Sequence, residues 1–182
     1  MTALAQELIT ADEFAIWAAR RPEKHLELFE GVPQMQQAES WGHTDTKGRI
    51  YAALLRAVAG AGLGYSVGID GVLVKVDPVS TFQPDVVVFA GGMERASIVA
   101  PEPLIVVEVL SPSTERRDLT VKLAGYFKVP SIEHYVIADW ETRELIHYRR
   151  EGAGIAPPVI LHEGELRLDP PGIGIALAEV FK

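Results

Sequence analysis

Two apolar runs, Pro84-Asp85-Val86-Val87-Val88-Phe89 and Leu104-Ile105-Val106-Val107-Glu108-Val109-Leu110, each carry one acid where a buried strand should carry none. A carboxylate in such a run is costly to desolvate unless it is paired or binds a metal. Strand alternation puts Asp85, Val87 and Phe89 on one face. In the later run Val106, Glu108 and Leu110 share a face. If the strands pair with Asp85 opposite Glu108, the two acids fall within about 5 Å at Cβ. That spacing suits a shared hard cation such as Mg²⁺, which takes a few carboxylates plus waters. Pro84 fits this placement as the first residue of a strand.

The rest of the chain reads as alternating helices and strands. Thr10 or Asp12 can cap a helix whose apolar positions are Phe14, Trp17 and Ala18, with Pro22 as its stop. A first strand and turn are expected over about 25–37, ending in the Glu30-Gly31 signal. A longer helix follows at about 42–59, its stripe formed by Ile50, Leu54, Leu55 and Val58. Gly60, Gly62, Gly64 and Gly68 then break the pattern. The string Gly60-Ala61-Gly62-Leu63-Gly64 follows a helix instead of joining a strand to one, so phosphate-loop and dinucleotide-loop readings fail and a flexible turn is expected. Strands are expected at 72–76, 84–89 and 104–110, with a loop from Ala90 to Pro103.

Ser111-Pro112-Ser113-Thr114 is turn chemistry and can cap a helix from about Thr114 to Lys128, stopped by Pro130. A hairpin follows over 134–139 and 144–149, and further strands are expected near 159–161 and 165–168. The segment after 131 is expected to pack on the same sheet. The chain therefore reads as one α/β domain over 1–182, with a central mixed sheet flanked by helices.

Composition narrows the function classes. At 182 residues with 48% hydrophobic content the chain can bury a real core. No apolar run approaches the roughly 20 residues of a membrane span. No signal peptide is evident and there is no cysteine, so a cytoplasmic location is expected and thiolate metal sites are excluded. The net charge of −8 and pI near 5.1 argue against broad, nonspecific nucleic-acid binding. Arg20-Arg21, Arg116-Arg117 and Arg149-Arg150 could still form a local basic patch, although each reads first as solvated surface charge.

Helix geometry leaves Lys122 at the edge of the stripe formed by Leu119, Leu123 and Tyr126. There it either snorkels to solvent or reaches over the end of the sheet toward the acids. The five histidines show no zinc spacing. His43 is expected to cap or pack, Tyr126 to pack, Asp139 to serve a turn, and Ser111 and Ser113 to cap, since no nucleophile elbow surrounds them.

Five segments, taken in order, resemble one known family. They are Glu27-Leu28-Phe29-Glu30-Gly31, Pro84-Asp85, Glu108-Val109-Leu110-Ser111-Pro112-Ser113-Thr114, Asp118 with Lys122 and Tyr126, and Glu133-His134-Tyr135-Val136-Ile137-Ala138-Asp139. Together they look like the Uma2 family (formerly DUF820), assigned as endonucleases of the PD-(D/E)XK restriction-endonuclease-like superfamily. The resemblance implies a restriction-endonuclease-like fold and metal-assisted hydrolysis of DNA phosphodiesters with Mg²⁺ or Mn²⁺.

It also implies roles. Asp85 and Glu108 would bind the metal, with the Val109 carbonyl as a third ligand. Glu27 would lie near the same cluster. The superfamily's usual lysine position, two after the glutamate, is Leu110 here, so the resemblance moves the lysine to Lys122 on the next helix. DNA is then the expected substrate, and the exposed aromatics allow a homodimer. Two rivals remain. One is a catalytically inactive member that binds a partner. The other is a metal-independent carboxylate-pair hydrolase such as a glycosidase, which needs two acids about 5–9 Å apart around an open cleft.

Overall fold

The structure, a computed structural model, describes residues 8–21, 25–36, 38–110 and 116–182. The helix stop expected at Pro22 and the caps expected at Ser111, Ser113 and Thr114 lie outside the described residues.

Helix α1 (Ala11–Ala19) begins with a capping box: the Glu13 amide donates to Thr10 Oγ1 at 3.3 Å, and the Thr10 amide donates to Glu13 Oε2 at 2.8 Å. The expected first strand is a hairpin of β1 (Leu26–Phe29) and β2 (Val32–Met35). Its two-residue turn, Glu30-Gly31, takes positive φ at both positions, 47° and 80°, which matches the twist of the flanking strands. Helix α2 (Trp41–Gly60) follows, within one residue of expectation at each end.

The turn expected over 60–64 is present, and an unanticipated strand follows it, β3 (Tyr65–Ile69), antiparallel to a later strand. Glycine is placed at Gly68 by a close approach: a Cβ there would lie 2.9 Å from Val72 Cγ2 and 3.2 Å from Val87 Cγ1. The sequence signal for breaking was real, but it marks tight packing within a strand.

Strands β4 (Val74–Asp77), β5 (Ser80–Phe82), β6 (Val86–Ala90) and β7 (Pro103–Val109) follow, of which β5 was not anticipated. Helix α3 (Arg116–Tyr126) joins β7 to β8 (His134–Asp139), which pair in parallel and so need a crossover connection. The chain closes with β9 (Glu144–Glu151), β10 (Gly154–Ile155), β11 (Val159–Leu161), β12 (Glu165–Leu168), β13 (Ile173–Ala176) and the short α4 (Leu177–Val180).

The central sheet has the order β10-β9-β8-β7-β6-β3, with β11 also paired to β9. It is mixed, being antiparallel except at β7–β8. A second sheet runs β2-β1-β5-β4. The strands β12 and β13 make their own two-stranded ribbon, which packs on the central sheet as expected.

Alternation sorts the core as read from sequence. Val86, Val88, Ile105, Val107 and Val109 face α2 and the C-terminal ribbon. Val87, Phe89 and Val106 face the other layer, with Tyr126 of α3 and Val74, Val76 and Phe82 of the second sheet. The result is a three-layer arrangement with the ends of β6 and β7 open to both flanking layers.

Candidate functional site

The register Val86↔Val107 places Asp85 one step beyond β6, level with Glu108 on β7. This is the opposition expected from the pattern. One detail differs. The pleat of β6 begins only at Val86, so Asp85 is not held to the face of Val87 and Phe89. Its carboxylate turns to the end of the sheet, where Oδ2 accepts a 2.6 Å hydrogen bond from the Val109 amide. Val109 therefore meets Asp85 through its N–H.

Glu108 follows alternation onto the α3 face, opposite its neighbours Val107 and Val109. Its carboxylate meets Lys122 Nζ at 3.2 Å from both oxygens and receives the Tyr126 hydroxyl on Oε1 at 2.5 Å. Lys122 Nζ also lies 3.0 Å from Glu27 Oε1, and the Gln83 amide donates to that same oxygen at 2.9 Å. Lys122 is 6% exposed, so it turns inward to the acids instead of snorkelling. Tyr126 packs, edge-on to Phe82 with ring centroids 5.4 Å apart, but it also bonds the acid. Gly125 makes room for this contact, because a Cβ there would run into the Phe82 ring.

Helix α2 supplies a second set of groups that the sequence reading missed. Its N-cap is Ser40, whose Oγ accepts from the His43 amide, so the His43 side chain is not the cap. The ring lies between two acids, with Nδ1 3.1 Å from Glu39 Oε2 and Nε2 3.4 Å from Asp85 Oδ2. The Nδ1 contact has ion-pair distance without hydrogen-bond alignment. One turn on, Lys47 is buried. Its Nζ lies 2.5 Å from Glu39 Oε2, 2.7 Å from Asp70 Oδ1 and 3.7 Å from Asp85 Oδ1. Asp70 reaches it from the turn after β3, where Asp70 and Gly71 both take positive φ.

A signal for these residues existed. Positions 43, 47, 50, 54 and 58 form one buried stripe on α2, and two of them are polar. A lysine on a buried helical stripe is the same kind of oddity as an acid in a buried strand.

The electrostatics follow from this geometry. Burial alone would raise the Asp85 carboxyl, but His43 and the Val109 amide hold it below the usual range. Burial would lower His43 and Lys47; Asp85 and Glu39 outweigh it at the histidine, and Asp70 and Glu39 at the lysine, so both are raised. Glu108 behaves oppositely. Burial, reinforced by Asp85 and Glu27, pushes it up to about 8 against the pull of Lys122 and Tyr126. Burial and the adjacent Glu108 push the Tyr126 hydroxyl well above its ordinary value, so it stays a donor.

Among the described residues five acids, Glu27, Glu39, Asp70, Asp85 and Glu108, thus meet two lysines and a histidine. The deficit of positive charge falls on Glu108. Carboxylate oxygens are the donors that Mg²⁺ and Mn²⁺ favour, and a divalent cation at Asp85 and Glu108 would relieve that deficit, so the residues fit such an ion. Glu39, His43 and Asp85 are also spaced as metal ligands, with one donor atom from each within 4.8 Å of the others.

The comparisons agree with this architecture. An uncharacterized protein, slr1290, from Synechocystis sp. is 26% identical over 172 residues, covering 93% of this chain and 88% of its own. A solved structure from Anabaena variabilis, described as "a putative nuclease belonging to DUF820", superposes with a TM-score of 0.73 over 95% of this chain and 97% of that one. At 15% identity, that likeness establishes the fold. A model of the Uma2 family, described as "Putative restriction endonuclease", matches residues 11–178. The chain belongs to the Uma2 family.

Proposed function

We propose that the protein is a divalent-metal-dependent endonuclease acting on DNA, with Asp85, Glu108, Lys122 and Glu27 as its working residues. The observation that carries this reading is the ammonium of Lys122 held between Glu108 and Glu27, beside a Glu108 that stands level with Asp85. It is supported by membership of the family.

Asp85, Glu108 and the Val109 carbonyl would hold Mg²⁺ or Mn²⁺. The ion, when bound, supplies Lewis-acid polarisation of the phosphate and a more acidic water. The chain's own residues do the rest. The Val109 amide fixes Asp85 and leaves its carboxylate at the sheet end. Tyr126 fixes Glu108. Lys122 places a positive charge where negative charge grows on the phosphate and where an attacking water must be oriented. Burial of this ammonium strengthens its field relative to a solvated lysine.

The single-domain organisation, the cytoplasmic location and a homodimeric state belong to the same proposal. Among the described residues no helix is long and apolar enough to cross a membrane.

The test is incubation of supercoiled and single-stranded DNA with Mg²⁺ or Mn²⁺, beside Asp85→Asn and Lys122→Ala. Wild type is expected to cut and both variants to lose cleavage. Absence of both cleavage and metal binding by calorimetry would overturn the proposal. Equal cleavage by all three proteins would assign the activity to a contaminant.

A further inference from the structure

We propose that Lys47 occupies the position of a second metal ion, so that the centre takes one divalent cation per chain. This rests on the metal-binding part of the proposed function. Three carboxylates from three separate parts of the chain converge on this one ammonium: Glu39 before α2, Asp70 after β3 and Asp85 before β6. Acids gathered in this way from distant segments are the arrangement a metal site requires, because each alone would be an uncompensated charge.

The candidate second site is the trio Glu39, His43 and Asp85. Lys47 already binds one of its acids at 2.5 Å and pairs with the other at 3.7 Å. An ion placed among those oxygens would compete for them with a buried ammonium and be repelled by it. Lys47 cannot withdraw cheaply, since it is 3% exposed and sits on the packed stripe of α2 between His43 and Ile50. A covalently fixed cation therefore neutralises Asp85 on its α2 side. Among the described residues the α3 side offers the single ammonium of Lys122, which Glu27 and Glu108 share, so the place left for a mobile ion is between Asp85 and Glu108.

Mn²⁺ titration of the full chain, read by calorimetry and by loss of the free-ion paramagnetic resonance signal, counts the ions without using activity. Wild type is expected to bind one. Lys47→Met is expected to bind two, and adding Glu39→Gln to it returns the count to one. Glu39→Gln alone, which keeps Lys47, stays at one. Two ions in wild type, a folded Lys47→Met that binds only one, or loss of the single ion in Glu39→Gln would each overturn the inference. If Lys47→Met fails to fold by circular dichroism, the wild-type and Glu39→Gln counts decide the question. A wild type that binds one Mn²⁺ yet cuts no DNA overturns the nuclease reading alone. One that binds none overturns both.

Discussion

The Tyr126 hydroxyl donates a 2.5 Å hydrogen bond to Glu108 Oε1, and neither residue's polar group reaches bulk water freely. The ring packs against Phe82 and Tyr135 while the oxygen serves the site. Tyr126→Phe keeps the packing and removes only the bond. The expected cost is about 1–3 kcal/mol, the range for leaving a buried acceptor short of a donor. Urea unfolding at pH 7 measures it. A variant as stable as wild type would show that Lys122 alone satisfies Glu108.

Glu108 sets a pH dependence of stability. In the folded protein burial pushes it up to about 8, whereas the unfolded chain releases this proton near 4.5. Between those values the folded state holds a proton that the unfolded state has lost, so stability falls as pH rises from 4.5 toward 8. Glu108→Gln removes this dependence. The variant is expected to gain stability over wild type progressively from pH 5 to pH 8. Adding Mg²⁺ at pH 8 should stabilise wild type and leave the variant unchanged. Thermal unfolding across that pH range checks both statements.

How far these residues were legible depended on whether their oddity showed within one element. Asp85 and Glu108 interrupt apolar strands, and their opposition follows from period-two alternation and an antiparallel register. Lys122 was ambiguous, since a helical wheel places it at the edge of a stripe but cannot say what stands opposite. Lys47 went unseen although it sits squarely on the buried face of α2, because its partners Glu39, Asp70 and Asp85 are brought together only by the fold. Strand β3 was not anticipated for a related reason. Gly68 is required by Val72 and Val87, a contact that local composition cannot reveal.

A second pH dependence lies away from the site. His134 Nδ1 and His147 Nε2 are 2.9 Å apart, and His134 Nε2 is 2.7 Å from the Pro170 carbonyl. The carbonyl can only accept, so His134 donates to it and in turn accepts from His147. Burial lowers both histidines, and with His134 and Arg149 nearby it takes His147 down to about 4. The unfolded chain takes up these protons near 6.5, so stability is lost as pH falls from 6.5 toward 4. His147→Gln should flatten this acid limb. Urea midpoints at pH 7 and pH 4.5 test it, and an unchanged difference between them would remove the pair from the explanation.

Lys122 tests whether stability and function can be separated at this centre. Replacing it with Met leaves Glu27 and Glu108 facing each other without their shared ammonium, and breaking a buried pair in this way costs about 3–5 kcal/mol. The cost should be smaller at pH 5, where Glu108 is protonated in the fold, than at pH 8.5, where it is charged. Glu108→Gln in the same chain removes one of the two stranded acids, so the double variant should recover part of the lost stability. Cleavage by Lys122→Met alone, which keeps both acids, should fall about 10²–10³-fold or more below wild type, the loss expected when a group that stabilises transition-state charge is removed. Denaturant unfolding and plasmid cleavage on the same preparations provide both measurements. If Lys122→Met cut as fast as wild type despite its lost stability, Lys122 would be a structural counter-ion, and the charge that acts on the phosphate would have to come from elsewhere in the centre.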